Sequence, residues 1–121
     1  MQADRRAPWR VLFVLALVGC TVLALVPMNH SGEWFAQADK LRHVLAFATL
    51  GFIGLRAGWC AASGFALLLL GYGVAIEVAQ SFTPSREASL GDVWADAAGI
   101  ALALLAHQIV RRGAQSSAGK P

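Results

Sequence analysis

A chain of 121 residues in which 57% are hydrophobic and only 14% are charged does not fit a soluble domain, since soluble proteins average roughly a quarter charged residues. A soluble domain of this length would bury only about two-thirds of its surface, so it could not hide this much apolar material from water. We therefore predict an integral membrane protein with one compact domain. Cys20 and Cys60 both lie in apolar runs and lack metal-ligand spacing.

Four apolar stretches follow one another along the chain, at 9–28, 43–55, 60–82 and 93–110. A membrane-spanning helix needs about 20 apolar residues, so the second stretch is marginal and spans only if its flanks reach the interface. None of the stretches alternates with period two, which argues against a barrel. The sequence thus predicts an all-α bundle of four transmembrane helices over residues 1–112. The Ser/Gly/Ala-rich segment 113–121 is predicted to be a disordered tail.

The first stretch has a second interpretation. Arg5, Arg6 and Arg10 precede an apolar run that reaches Cys20, a pattern similar to a bacterial lipoprotein signal with a lipidated cysteine. The apolar run continues to Val26, however, where a mature lipoprotein usually becomes polar. This continuation favours an uncleaved first helix.

The basic residues predict the orientation. With four spans, both termini and the turn around Arg56 share one side. That side has seven basic residues and one acidic residue: Arg5, Arg6, Arg10, Arg56, Arg111, Arg112, Lys120 and Asp4. The other side has three basic and six acidic residues: Lys40, Arg42, Arg86, Glu33, Asp39, Glu77, Glu87, Asp92 and Asp96. We therefore expect both termini in the cytoplasm of a bacterium, with the protein in its inner membrane. The net charge of +3 then reflects topology and requires no nucleic-acid partner.

Polar residues of the last three predicted helices gather at the outer surface. Asp39 and His43 are four residues apart and share a helix face, as do Asp92 and Asp96. Arg86 lies in the connection between the third and fourth helices. We predict an outward-facing polar pocket that binds a substrate or ligand, formed by Asp39, Lys40, His43, Glu77, Gln80, Arg86, Asp92 and Asp96.

Burial in lipid makes Glu77 the most costly of these residues, because an ionised carboxylate at mid-membrane costs at least about 2.5–3.5 kcal/mol. Arg86 is its best partner, since a guanidinium matches a carboxylate or a phosphate. Simpler interpretations stay open for the others. Asp92 is a candidate N-cap, and Lys40, Arg42 and Glu87 suit solvated or head-group positions.

Three further features of the sequence concern helix packing, catalysis and metal binding. Gly54-x-x-x-Gly58 and Ala95-x-x-x-Gly99-x-x-x-Ala103 predict close helix packing. No zinc-protease, serine-hydrolase or phosphate-loop motif occurs, so the catalytic residues, if any, are unknown. A metal site made of Asp39, His43, Glu77 and Asp92 is geometrically conceivable. The favoured prediction is nevertheless that the protein holds neither a metal nor a cofactor.

The motif Asp39-Lys40-x-x-His43-x-x-x-Phe47, followed by Glu77-x-x-Gln80-x-Phe82-x-Pro84-x-Arg86-x-x-Ser89-x-x-Asp92 and Gly99, resembles the VanZ-like family of small bacterial membrane proteins. The resemblance covers residues 39–99. It implies that the polar residues of this motif are the family's signature positions, and the family's name comes from a protein associated with resistance to the glycopeptide teicoplanin. The chain departs from the family at Asp96, usually asparagine, and at Ala103, often glycine.

Three functions are compatible with this pattern. In the first, the pocket recognises an envelope-lipid or glycan head group, with Arg86 and Lys40 holding an anion. In the second, Glu77 or His43 is the general base of an enzyme acting on a lipid-linked substrate, and Arg86 stabilises developing charge. In the third, the polar residues only lock the helices together or dock a partner protein. The missing nucleophile favours the first and third functions, while the excess of acids argues against a simple anion receptor.

Overall fold

The protein is a bundle of four helices, in a computed structural model that describes residues 4–26, 33–83 and 89–118, without the side chains of 33–36 and 118. The helices are α1 (Ala7–Leu25), α2 (Glu33–Ala57), α3 (Ala62–Ser81) and α4 (Leu90–Ala118). No strand occurs in the described ranges. The predicted all-α bundle is therefore confirmed.

Successive helices run in opposite directions. The Arg10 side chain, near the start of α1, donates a hydrogen bond to the carbonyl of Ala57 at the end of α2 (3.1 Å). The backbone N–H of Ser89, just before α4, donates to Glu77 near the end of α3 (3.0 Å). The beginnings of α2 and α4 and the end of α3 consequently meet at one end of the bundle.

Three helices are long and apolar enough to cross a membrane: Ala7–Leu25, Ala62–Ser81 and Leu90–Ser117. Their outer faces carry large apolar side chains, and Leu23, Leu67 and Leu68 expose 70%, 71% and 69% of their surface. A continuous apolar exterior of this kind needs lipid around it. Among the described residues α2 does not meet the same criterion, although it contacts each of the other three helices.

Helix α2 is longer than its apolar stretch predicts. The hydropathy pattern indicates residues 43–55, whereas the helix begins ten residues earlier, at Glu33. Its first turns contain charged residues, which interrupt an apolar run without disturbing helical backbone geometry. Helix α2 ends at Ala57 because Gly58 has φ +67°, in the left-handed region that glycine favours. The close packing predicted for Gly54-x-x-x-Gly58 is confirmed at Gly54, where an added Cβ atom would collide with the ring of Phe65 on α3, whereas Gly58 terminates the helix.

Small residues bring α2 and α4 into close contact. A Cβ atom added at Gly99 would lie only 2.5 Å from the carbonyl oxygen of Val44, and one at Gly51 would lie 2.6 Å from the Cβ of Ala103. Only backbones that nearly touch leave so little room. The close packing predicted around Gly99 and Ala103 is confirmed, and it holds the polar first turns of α2 and α4 side by side.

Helix α4 also extends beyond its predicted stretch. The sequence predicts a disordered tail from Gly113, but the helix continues to Ala118. The segment contains alanine and glutamine, which are compatible with helix, so loss of apolar character does not end it.

Candidate functional site

His43 is the centre of the polar residues at the end of the bundle where α2 and α4 begin. Its side chain is 9% exposed, and its Nδ1 lies 2.6 Å from Oδ1 of Asp96, which is completely buried on α4. An ionised Asp96 only accepts hydrogen bonds, so it favours the tautomer of His43 that carries the proton on Nδ1. The pair joins the two helices at the position where they are already closest.

Three more carboxylates surround the other nitrogen of the same ring. His43 Nε2 lies 3.7 Å from Oδ2 of Asp39, 3.8 Å from Oε1 of Glu77 and 3.9 Å from Oδ2 of Asp92. These oxygens come from α2, α3 and α4, and none is within the usual hydrogen-bond range of about 3.2 Å. We call His43 and its four carboxylates, Asp39, Glu77, Asp92 and Asp96, the acidic cluster.

Two of these carboxylates are held by their second oxygen. Oε2 of Glu77 accepts the backbone N–H of Ser89 at 3.0 Å, and Oδ1 of Asp92 lies 4.0 Å from the ammonium nitrogen of Lys40. The remaining oxygen of each faces His43. Oε1 of Glu77 is buried and has no hydrogen-bond partner in the described part of the chain. The hydrogen bond from Ser89 thus orients Glu77, and Asp92 has the weaker support of a longer contact with Lys40.

Ser89 caps helix α4. Its side-chain oxygen accepts the backbone N–H of Gly91 at 3.1 Å, which is the geometry of an N-cap. The interpretation of Asp92 as the cap is wrong, because Asp92 lies inside the first turn with its side chain buried against His43.

Three other residues of the predicted pocket differ in their position relative to the acidic cluster: Lys40, Gln80 and Arg86. Lys40 is exposed and lies at the rim, as the simpler interpretation of its charge expects. Gln80 is buried, but its amide donates to the carbonyl of Ala24 in the last turn of α1 at 2.9 Å. Its polar group therefore connects α3 to α1 and does not face the carboxylates. Arg86 lies outside the described residues, so its pairing with Glu77 stays a prediction.

Gly73 makes room for the cluster, and sequence reasoning missed it. A Cβ atom there would lie 2.6 Å from Oδ2 of Asp96 and 3.2 Å from the ring of Phe47. The ring of Phe47 in turn lies parallel to that of His43, with ring centres 6.4 Å apart. The available indication was spacing, since Gly73 precedes Glu77 by four residues and so shares its helix face.

The arrangement favours positively charged or hydrogen-bond-donating groups. Four carboxylates converge on one imidazole, and Lys40 lies 4.0 Å from one of them, Asp92. Like charges at such distances repel strongly where water is scarce. The carboxylates at this end of the bundle can therefore be ionised together only if a proton, a cation or a donor group lies near His43 Nε2.

Fold and site together define an all-helical membrane protein with a buried histidine–carboxylate cluster at one end of its bundle. The chain belongs to the VanZ/LLP1 family, whose model matches residues 5–111. That match includes the polar motif and nearly all of the four helices, and it confirms the family resemblance. No curated protein and no solved structure matches the chain.

Proposed function

We propose that this VanZ/LLP1-family protein recognises the polar head group of an envelope lipid at the acidic cluster, from within the bacterial inner membrane. The observation that supports this most is the convergence of four carboxylates from three helices on His43. The cluster reaches the surface through Asp39 and Lys40, whose side chains are 23% and 45% exposed. A head group at the membrane surface could approach along this edge.

The charge of the cluster favours a particular head-group chemistry. Carboxylates accept hydrogen bonds from hydroxyl and ammonium groups, and charge-assisted bonds of this kind are about twice as strong as neutral ones. A phosphate alone would meet repulsion from Asp39 and Asp92. We therefore favour a sugar or amine head group, with any lipid phosphate held at the rim by Lys40. Arg86 is the second candidate for that phosphate, on the sequence prediction alone.

A purely structural role explains the cluster less well. Replacing a buried ionic group by apolar side chains of similar volume is often neutral or stabilising, so packing alone gives no reason for four carboxylates around one imidazole. Small residues already hold α2 and α4 together at Gly99 and Ala103. The link of the family's name to teicoplanin resistance supports a role in the cell envelope.

Lipidomics of the protein extracted in native lipid tests this proposal. We expect the wild-type protein to enrich one class of sugar- or amine-bearing lipid over the surrounding membrane, and Asp92→Asn to lose that enrichment. The matched control is Asp4→Asn, which removes a carboxylate at the opposite end of the bundle. Equal lipid profiles for the wild-type protein, both variants and the bulk membrane would contradict the proposal.

Two further arms identify the ligand. Delipidated protein is offered either vesicles that contain the enriched lipid or the soluble head group alone, which separates recognition of a lipid from recognition of a free glycan. Arg86→Ala tests the sequence-based prediction that this arginine holds the phosphate. We expect Arg86→Ala to fold and to weaken binding of the phosphate-bearing lipid but not of the phosphate-free head group.

A further inference from the structure

We infer that the acidic cluster is a binding site for a divalent transition-metal cation, with His43 Nε2 as the nitrogen ligand and carboxylate oxygens of Asp39 and Asp92 as the oxygen ligands. One ligand atom of each of these three residues lies within 4.8 Å of the others. The inference goes beyond the proposed function, because the metal site requires no lipid. The two ideas are compatible, since three protein ligands leave coordination positions open for water or for a head-group oxygen.

The bond between His43 and Asp96 prepares the imidazole for a metal. Histidines that bind metals almost always donate their other ring N–H to a carboxylate, a carbonyl or a water, which fixes the tautomer and the ring orientation. Here Asp96, fully buried, accepts from Nδ1 at 2.6 Å. In the neutral ring Nε2 then presents its lone pair to the remaining carboxylates, an arrangement that is repulsive unless positive charge lies between them.

The spacing around Nε2 suits a cation better than direct hydrogen bonds. The three oxygens lie 3.7, 3.8 and 3.9 Å from it, beyond the range of about 2.7–3.2 Å for a good N–H···O bond. Metal–ligand distances of about 2.0–2.2 Å place neighbouring ligands roughly 3–3.5 Å apart. Each of these oxygens therefore needs to approach Nε2 by only about half an ångström to reach the separation of two ligands of one ion.

Glu77 provides independent support for a ligand at this position. Its side chain is 6% exposed, and Oε1 has no hydrogen-bond partner in the ranges that the structure describes. Its other oxygen is held by Ser89, which keeps Oε1 directed toward His43 Nε2 from the side of α3. A buried carboxylate oxygen without a partner is costly. A cation at Nε2 would offset that cost, with Glu77 facing it from α3 in a second group of ligand atoms within 4.8 Å of one another, those of His43, Glu77 and Asp96.

The ligand types select the class of metal. Imidazole nitrogen suits zinc, iron, copper and nickel, whereas carboxylate oxygen suits manganese, magnesium and calcium. A set of one imidazole and two or three carboxylates is typical of Zn²⁺, Mn²⁺ or Fe²⁺. Magnesium and calcium prefer ligand sets made of oxygen alone, so we expect them to bind much more weakly.

Metal binding is measured on the full chain in nanodiscs, purified with a tag that contains no histidine and stripped with a chelator. Equilibrium dialysis against Zn²⁺ or Mn²⁺, followed by elemental analysis, should give one equivalent per chain. We expect His43→Gln to weaken binding at least tenfold, and Asp96→Ala, which removes the partner of Nδ1, to weaken it by about 10–100-fold. The matched control His107→Gln, distant from the cluster, should bind like the wild-type protein.

Several results would overturn the inference. The inference fails if the wild-type protein binds less than a tenth of an equivalent of metal. It also fails if His43→Gln binds the metal as tightly as the wild-type protein does. Loss of binding in Cys60→Ser would show that an exposed thiol holds the metal. If His43→Gln does not fold, Asp39→Asn decides, because Asp39 is partly exposed and its substitution is mild. The proposed ligand set is excluded if Asp39→Asn changes neither the Zn²⁺ affinity nor the electron paramagnetic resonance spectrum of bound Mn²⁺. These assays require no envelope lipid, so failure of lipid recognition does not affect them.

Discussion

The two ends of the bundle carry opposite charges in different ways. At the end where α1 begins and α2 finishes, Arg6 and Arg10 donate hydrogen bonds to the carbonyls of Gly58 and Ala57, at 3.3 and 3.1 Å. Basic side chains are expected there, because the last carbonyls of a helix lack partners and carry partial negative charge. We call this the basic end. Its contacts are explained by helix termination and by the membrane surface.

The opposite end, which holds the acidic cluster, has no comparable explanation. Asp92 suits the N-terminus of α4, but Glu77 lies near the C-terminus of α3, where the helix dipole disfavours a negative charge. Both carboxylates are buried, whereas the side chains at the basic end are mostly exposed. The comparison teaches that contacts within the fold account for the charge at the basic end, whereas they do not account for the charge at the acidic end, for which we propose a ligand.

The largest expected effect concerns which end faces which side of the membrane. The uneven division of basic residues predicts that both termini are cytoplasmic. Reporter fusions after Val110 should be active only as cytoplasmic reporters, and insertions within 29–32 only as external ones. Neutralising Arg5, Arg6 and Arg10 together should raise the fraction of inverted molecules. An external C-terminus in the wild-type protein would contradict the assignment and the four-span topology.

The second effect is the loss of one member of the buried pair. Asp96→Ala removes the partner of His43 Nδ1 and leaves the ring buried among carboxylates, so the free energy of unfolding should fall by about 3–5 kcal/mol. The measurement is reversible unfolding in bicelles, made without metal. Asp96→Asn should lose much less, because its side-chain oxygen can still accept a hydrogen bond from Nδ1. Equal losses in the two variants would show that the charge of Asp96, and not its hydrogen bond, stabilises the pair.

Much of this arrangement could be predicted from residue spacing and burial. The positions of Asp39, His43, Glu77 and Asp92 on helix faces, together with the alternating direction of four helices, indicate that they share one end. The sequence also gives the motif that connects the chain to its family. These inferences depend only on helical periodicity and on the cost of charge in lipid.

Other features depend on how the helices rotate about their axes, which spacing does not determine. Asp96 shares a face with Asp92, yet only the structure shows that it contacts His43 Nδ1. Gln80 shares a face with Glu77, but a small rotation directs its amide to α1. The early start of α2 escaped prediction because charged residues hide a helix from a search for apolar runs.

A smaller effect is expected where α2 and α4 touch. Gly99→Ala places a methyl group against the backbone of α2, which cannot yield as a flexible side chain can, and should cost about 1–3 kcal/mol. Gly71→Ala is the matched control, since nothing lies within 4 Å of the added atom. In a helix interior that change should stabilise by about 0.5–1 kcal/mol. Unfolding in bicelles compares the two, and equal effects would argue against close backbone contact.

The smallest effect is expected for the ion pair at the basic end. Arg10 Nη1 lies 3.9 Å from Oδ2 of Asp4, and both side chains are substantially exposed, by 36% and 56%. Exposed pairs contribute roughly 0–1 kcal/mol and are screened by salt. Asp4→Asn also keeps a side-chain oxygen that can accept the backbone N–H of Arg6. We therefore expect a change near the lower limit of measurement, and less at high salt.

Arg10→Ala should differ from Asp4→Asn, because Arg10 has contacts that Asp4 does not share. Its guanidinium donates to the carbonyl of Ala57 and lies 5.6 Å from the centre of the Trp59 ring. Losing the hydrogen bond should cost about 0.5–1.5 kcal/mol, and this loss should persist at high salt. A large, salt-sensitive effect of Asp4→Asn would mean that the basic end also depends on a specific carboxylate. The contrast between the two ends would then be one of degree, and the case for a ligand at the acidic cluster would depend on metal and lipid binding alone.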